Sequence, residues 1–141
     1  GDGSVGLHFA EFDTMVRHRL PIVTVVNNDQ QWGMSAHGQD LLFGKDHRVV
    51  TDLSPTRYDL AAAGFGCHAE HVVEPREIAP ALERAFASGK PACVNVMTDP
   101  SVIAPITLVM VGAAKQPAKP GTGGASGSEP VRIPYYEDLE K

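Results

Sequence analysis

Five consecutive residues, Ile22-Val23-Thr24-Val25-Val26, constrain the fold more than any other stretch of this chain. All five side chains branch at Cβ, which stiffens them for a pleated strand and disfavours a helix. A run without apolar-polar alternation belongs in a strand covered on both faces, the environment of a parallel sheet. Pro21, directly before it, stops any helix arriving from upstream. Parallel strands need long crossovers, so the rest of the chain is expected to supply helices.

The flanking patterns meet that demand. Val5, Phe9, Phe12 and Val16 repeat at helical spacing with Glu11, Arg17 and Arg19 largely off the stripe, predicting an amphipathic helix over 5–19. Residues 32–43, with Trp32, Met34, Leu41, Leu42 and Phe43, are expected to form a short helix or ordered loop, and 44–57 to be irregular. Asp59 is placed as the cap of a helix through Phe65 that ends at Gly66, followed by a strand at His71-Val72-Val73. A further helix starts between Pro75 and Ala79, presents Ile78, Leu82, Ala85 and Phe86, and stops at Gly89; Ala92 to Met97 is the next buried strand. The alternation predicts an α/β fold with an open, mostly parallel sheet and helices on both faces, over residues 1–112.

From Ala113 to Ser128 the sequence AAKQPAKPGTGGASGS has no apolar period and is expected to be a flexible linker. Residues 129–141 regain Val131, Ile133, Tyr135, Tyr136 and Leu139 and are expected to be a docking tail. The chain opens without Met on Gly1-Asp2-Gly3-Ser4, a turn cluster that ordinarily follows a strand, so it is expected to be truncated at its N-terminus.

At 141 residues, with 12 Lys plus Arg against 17 Asp plus Glu and a net charge of −5, the chain fits one modest soluble domain and not a nucleic-acid or anionic-membrane binder. It shows neither a signal peptide nor an apolar run of the roughly 18 residues that would span a bilayer. A cytoplasmic location is expected. Cys67 and Cys93 fall in segments that read as buried packing and are expected to be reduced and structural.

Two clusters carry chemistry. Gly1 and Gly3 flank Asp2 and leave room for close backbone approach, while Ser4 offers a hydroxyl at the start of a helix, where phosphate is favoured. A carboxylate beside a phosphate needs a hard cation between them, Mg²⁺ or Ca²⁺. Asn27-Asn28-Asp29 follows directly on the strand 22–26. A right-handed crossover of about 30 residues returns the chain to the sheet edge it left, so both clusters are expected to meet there. Backbone carbonyls of Asp29-Gln30-Gln31 would complete the site.

The segment GDGSVGLHFAEFDTMVRHRLPIVTVVNNDQQWG resembles the thiamine diphosphate motif of the acetolactate synthase, benzaldehyde lyase and pyruvate decarboxylase superfamily, in which GDG is followed some 24–27 residues later by NN. EFDT at 11–14, Leu20-Pro21, Trp32-Gly33, AAAGFG at 61–66 and GKPACVNV at 89–96 are similar to the C-terminal cofactor-binding domain of acetolactate synthase-like and benzaldehyde lyase-like proteins, over roughly 1–112. The resemblance implies thiamine diphosphate and Mg²⁺ as cofactors. It implies Asp2 as the first metal ligand, Gly1, Gly3 and Ser4 as diphosphate neighbours, and Trp32, Gly33 and Met34 beside the cofactor. Kept in register on Pro21 and Trp32-Gly33, it puts Asp29 at the second ligand position and the Gln31 carbonyl at the third; the literal NN pair gives Asn28 and Gln30 instead. Asn28 is in either case a cofactor-side candidate.

The resemblance further implies a lyase or transferase acting as a carboligase on 2-oxo acids or related carbonyl donors, acetolactate synthase-like first, benzaldehyde lyase-like or acyl-CoA lyase-like next. The activating glutamate of such enzymes lies on a separate domain, usually of a second subunit in a homodimer or homotetramer. The isolated chain is therefore expected to be inactive and to need the N-terminal remainder of the enzyme. Met34, His37 and Gly38 are substrate-side candidates, with His37 as a proton relay. The contrasting expectation is a non-catalytic fragment or interaction module.

Overall fold

The computed structural model describes residues 1–115. Its centre is a parallel three-stranded sheet of β1 (Val23–Asn28), β2 (His68–Val72) and β3 (Ala92–Met97) in the order β1-β3-β2. The last strand in sequence thus lies in the middle. Its register runs from Val23↔Ala92 to Asn28↔Met97 on one side and from His68↔Ala92 to Val72↔Val96 on the other. The observed strand β1 reaches two residues past the β-branched run, carrying Asn27 and Asn28 into the ladder, because β3 continues alongside and Thr98 N–H bonds to the Asn28 carbonyl at 3.0 Å. Strand β2 starts at His68 rather than His71, since pairing with Ala92 begins there.

Helices cover both faces. Ala92, Val94 and Val96 of β3 pack with Val72 against Ala81 and Ala85 of α5 (Ile78–Ala87). Cys93 points the other way, into Val26, Phe12, Ala62 and Cys67, beneath α1 (Asp2–Leu7), α2 (Glu11–Arg17) and α4 (Tyr58–Gly64). Small residues at 62, 81, 85 and 92 let helix and sheet approach closely, and Cys67 and Cys93 are buried and free. Burial pushes the Cys93 thiol up to about 12, a poor nucleophile at neutral pH.

The single helix expected over 5–19 is two. It begins at Asp2 and is interrupted at His8–Ala10, where Glu11, Phe12 and Asp13 N–H groups bond three residues back at 3.0, 3.2 and 3.0 Å. The tighter turn keeps the stripe together, and Val5, Phe9, Phe12, Met15 and Val16 all reach one cluster. Arg19, at φ 53°, ends α2 with Leu20 N–H on the Met15 carbonyl at 2.9 Å. Residues Gly33–Phe43 form the helix α3. Asp59 does not cap α4 but sits inside its first turn, because Arg57 and Asn95 take its carboxylate.

The helix α6 (Pro105–Lys115) packs against α3 and was not anticipated; Ile106 and Leu108 face outward, which blurs its apolar period. It includes Ala113–Lys115, the first residues of the expected linker. The remainder of that linker and the tail at 129–141 lie outside the described residues. Among the described residues no helix is long and apolar enough to cross a membrane.

Candidate functional site

The carboxyl ends of the strands open into a cavity of about 300 Å³, lined by Gly1, Asp2, Gly3, Ser4, Asn27, Asp29, Gln31, Trp32, Gly33, Met34, Ser35 and Thr98. The first turn of α1, the loop leaving β1 and the start of α3 meet here, as the crossover from residue 2 to residue 29 requires. Gly1 lies against β1, where an added Cβ would be 3.8 Å from the Asn27 carbonyl oxygen.

Two glycines are explained by what lies over them. A Cβ on Gly3 would come 2.8 Å from Trp32 Cε3, so the indole lies on the Gly3 backbone. A Cβ on Gly33 would come 2.6 Å from Asp29 Oδ2, so the missing side chain is the space that holds the carboxylate. Gln30 adopts φ 59° between them, turning the chain so that Asp29 and Gln31 both reach the cavity.

Asp2 is 1% exposed and, among the described residues, neither of its carboxylate oxygens has a hydrogen-bond partner. Burial holds its carboxyl above the usual range, and the neighbouring Asp29 carboxylate pushes it further. A buried, unsatisfied carboxylate beside a second, half-buried one is costly unless a cation lies with them. The donor set is all oxygen, which fits a hard divalent ion. Among the described residues no group of three or more His, Cys, Asp and Glu side chains gathers at a point, so the protein carboxylates here are two.

Asn28 takes no part in lining the cavity. It is 1% exposed and its amide donates to the Thr56 carbonyl at 3.0 Å and to Asn95 Oδ1 at 3.1 Å, while its Oδ1 accepts the Gln30 N–H at 3.2 Å. Strand alternation is the reason: Asn28 shares the face of Val26 and points into the sheet, and Asp29, one residue on, turns out of it. His37 is likewise turned away from the cavity, 6% exposed, with Nε2 donating to the Pro100 carbonyl at 2.8 Å. The ring braces the loop after β3 and leaves no nitrogen on the cavity wall. Gly38 lies with Met34 in a second cavity of about 240 Å³, otherwise lined by Leu42, Thr107, Met110 and Val111.

Sequence reasoning missed the polar network behind the site. Arg57 grips Asp59 through two bonds of 2.9 and 2.6 Å, Asn95 donates to Asp59 Oδ1 at 3.2 Å, and Asn95 in turn accepts from Asn28. The signal was Asn95 itself, a polar residue inside the buried run ACVNVM that had to find partners. Residues 51–53 were also missed. Thr51 carbonyl accepts the Trp32 N–H at 2.7 Å and Leu53 N–H reaches the Gln30 carbonyl at 2.8 Å, so a strap from the irregular region holds the loop after β1 from outside.

Residues 1–96 match the family described as thiamine pyrophosphate enzyme, C-terminal TPP binding domain. The chain belongs to this family. This thiamine diphosphate-binding domain is 50% identical over 106 residues to the acetolactate synthase large subunit IlvG of Mycobacterium tuberculosis, a match covering 74% of this chain and 19% of the relative. The probable acetolactate synthase of Mycobacterium bovis matches with the same figures, 50% identity over 106 residues, 74% and 19%. A 2-hydroxyacyl-CoA lyase of Oryza sativa is 35% identical over 104 residues, 71% of this chain and 18% of the relative. The domain thus spans about a fifth of the length of these curated relatives.

Proposed function

We propose that residues 1–112 are the diphosphate- and Mg²⁺-holding part of an acetolactate synthase-like carboligase acting on 2-oxo acids. The observation that carries this reading is Asp2, whose buried carboxylate has no hydrogen-bond partner among the described residues and lies beside Asp29. Asp2, Asp29 and the Gln31 carbonyl hold the cation, and the backbone of Gly1, Gly3 and Ser4 receives the diphosphate it neutralises. Thiamine diphosphate supplies the carbon nucleophile that cleaves or joins bonds beside a carbonyl.

The protein's own part is to position and to exclude water. Gly3 admits the Trp32 indole against the start of α1, which walls the cavity on the side of the diphosphate. Met34 belongs to both cavities, and the apolar one between α3 and α6 receives the substituent of the carbonyl substrate. His37, engaged with Pro100, is not assigned a proton-transfer role. The resemblance implies that a glutamate from the remainder of the enzyme, on a second subunit, would activate the cofactor.

Calorimetric titration of thiamine diphosphate into the full-length enzyme, with and without Mg²⁺, tests the site. Binding should require the cation, and Asp2→Asn should lower the affinity at least tenfold, about 1.4 kcal/mol. Asp29→Asn should retain binding and Asp29→Ala should lose it, because the position needs an oxygen and not a charge. Equal binding by native protein and Asp29→Ala would return the second ligand position to Asn28.

A further inference from the structure

The resemblance that points to the cation places only the backbone carbonyl of residue 31 on it, yet the Gln31 side chain is turned inward, 4% exposed, and every hydrogen-bonding group of its amide is used. One N–H donates to Asp29 Oδ2 at 3.2 Å and the other to the Pro100 carbonyl at 3.0 Å, while Oε1 accepts Arg48 Nη1 at 3.1 Å. The partners fix which end is which: two acceptors face the nitrogen and a donor faces the oxygen. Arg48 is itself clamped, with Nε on Asp40 Oδ1 at 3.1 Å and Nη2 on Asp40 Oδ2, a planar two-bond pairing. A continuous chain therefore runs Asp40–Arg48–Gln31–Asp29 and ends beside Asp2.

We infer that Gln31 is a positioning residue for the cation site, held by Arg48, and that it aims the Asp29 carboxylate before any ligand arrives. The inference rests on the reading of Asp2 and Asp29 as the cation ligands. A carboxylate on a two-bond side chain, beside a second carboxylate, would swing away from its neighbour in the free protein. Gln31 opposes that by occupying Oδ2, and the bare Gly33 leaves the pocket into which that oxygen fits. The arrangement follows the rule that partners behind the ligands orient them and tune the ion. It also gives the carboxylate at position 29 a neutral donor as its companion and keeps the Arg48 charge one residue back, where it does not compete with the cation.

The test separates cation dependence from cofactor affinity in the full-length enzyme. Mg²⁺ is titrated at fixed thiamine diphosphate, following tryptophan fluorescence, and free Mn²⁺ is counted by electron paramagnetic resonance. Gln31→Met, nearly isosteric, should raise the cation concentration at half-saturation about tenfold, the usual loss when a group behind a metal ligand is removed. Affinity for thiamine diphosphate at saturating Mg²⁺ should return to the native value, which a merely damaged fold would not allow. Arg48→Gln, at a half-buried site that leaves the core intact, should shift the cation midpoint in the same direction by less. The double variant should be no worse than Gln31→Met alone, because Arg48 acts through Gln31. Arg84→Met, which breaks the outlying pair with Glu70, should change nothing. A native enzyme whose cofactor binding ignores Mg²⁺ would overturn the reading of the site; a Mg²⁺-dependent native enzyme matched by Gln31→Met and Arg48→Gln would overturn this inference alone.

Discussion

Glycine does two different jobs beside the two carboxylates. Gly3→Ala would drive a methyl into the Trp32 ring at 2.8 Å, a contact with a large side chain that must move as a body. Overpacking of this kind costs roughly 1–3 kcal/mol. The variant should lose thiamine diphosphate affinity at every Mg²⁺ concentration, read by calorimetry. Gly33→Ala instead meets the far end of a flexible side chain, Asp29 Oδ2 at 2.6 Å, so the carboxylate should rotate away with little change in stability. There the expected loss lies in cation affinity, and excess Mg²⁺ should recover part of it. An alanine variant at position 33 with native cation dependence would show that Asp29 has no fixed orientation to lose.

Among the elements, β3 does most of the organising. Its apolar residues join α5 to the sheet, while Asn95, fully buried on the opposite face, links Asp59 of α4 to Asn28 of β1. Asn95→Leu leaves an Asn28 donor and an Asp59 oxygen without their buried partner, at about 1–3 kcal/mol for each unsatisfied group. Amide hydrogen exchange in β1 and α4 should accelerate, and exchange in α5 should not. Burial alone would raise the Asp59 carboxyl, but Arg57 and Asn95 outweigh it and hold the group below the usual range. A carboxyl lowered by folding stabilises above its unfolded value near 4 and loses that contribution as pH falls through the folded value. Protection against exchange at β1 and α4, corrected for the intrinsic rate, should therefore fall in acid below about pH 4, and Asp59→Asn should flatten this response while weakening both elements at neutral pH. Strands and their helices were legible because periodicity is set by which face is buried. The break at His8–Ala10 was not, since a tightened turn preserves the apolar stripe. Nor were the uses of Asn28 and His37, because a motif names residue types and leaves open which way a strand or helix aims them.

For the whole molecule, the shared ground between sequence and structure is the crossover that sets Asp2 against the loop after β1; the covering groups are less local. Ile22, just before β1, and Val25 within it are each 47% exposed, Phe86 67% and Leu7 70%. With the chain spanning about a fifth of its relatives, the isolated 141 residues should give no acetolactate above a protein-free control when mixed with thiamine diphosphate, Mg²⁺ and pyruvate. Turnover by that chain alone would mean that the catalytic glutamate is dispensable. The strand order β1-β3-β2 has a consequence in time. Among the described residues each outer strand pairs with the strand synthesised last, so Val23 waits for Ala92 and β1 and β2 meet this ladder partner when β3 has left the ribosome. Late pairing between distant segments is slow and leaves strand edges open to other chains. The nascent polypeptide is thus most vulnerable to aggregation in the interval before ACVNVM emerges, and slowing elongation just upstream of residue 92 should lower the soluble yield.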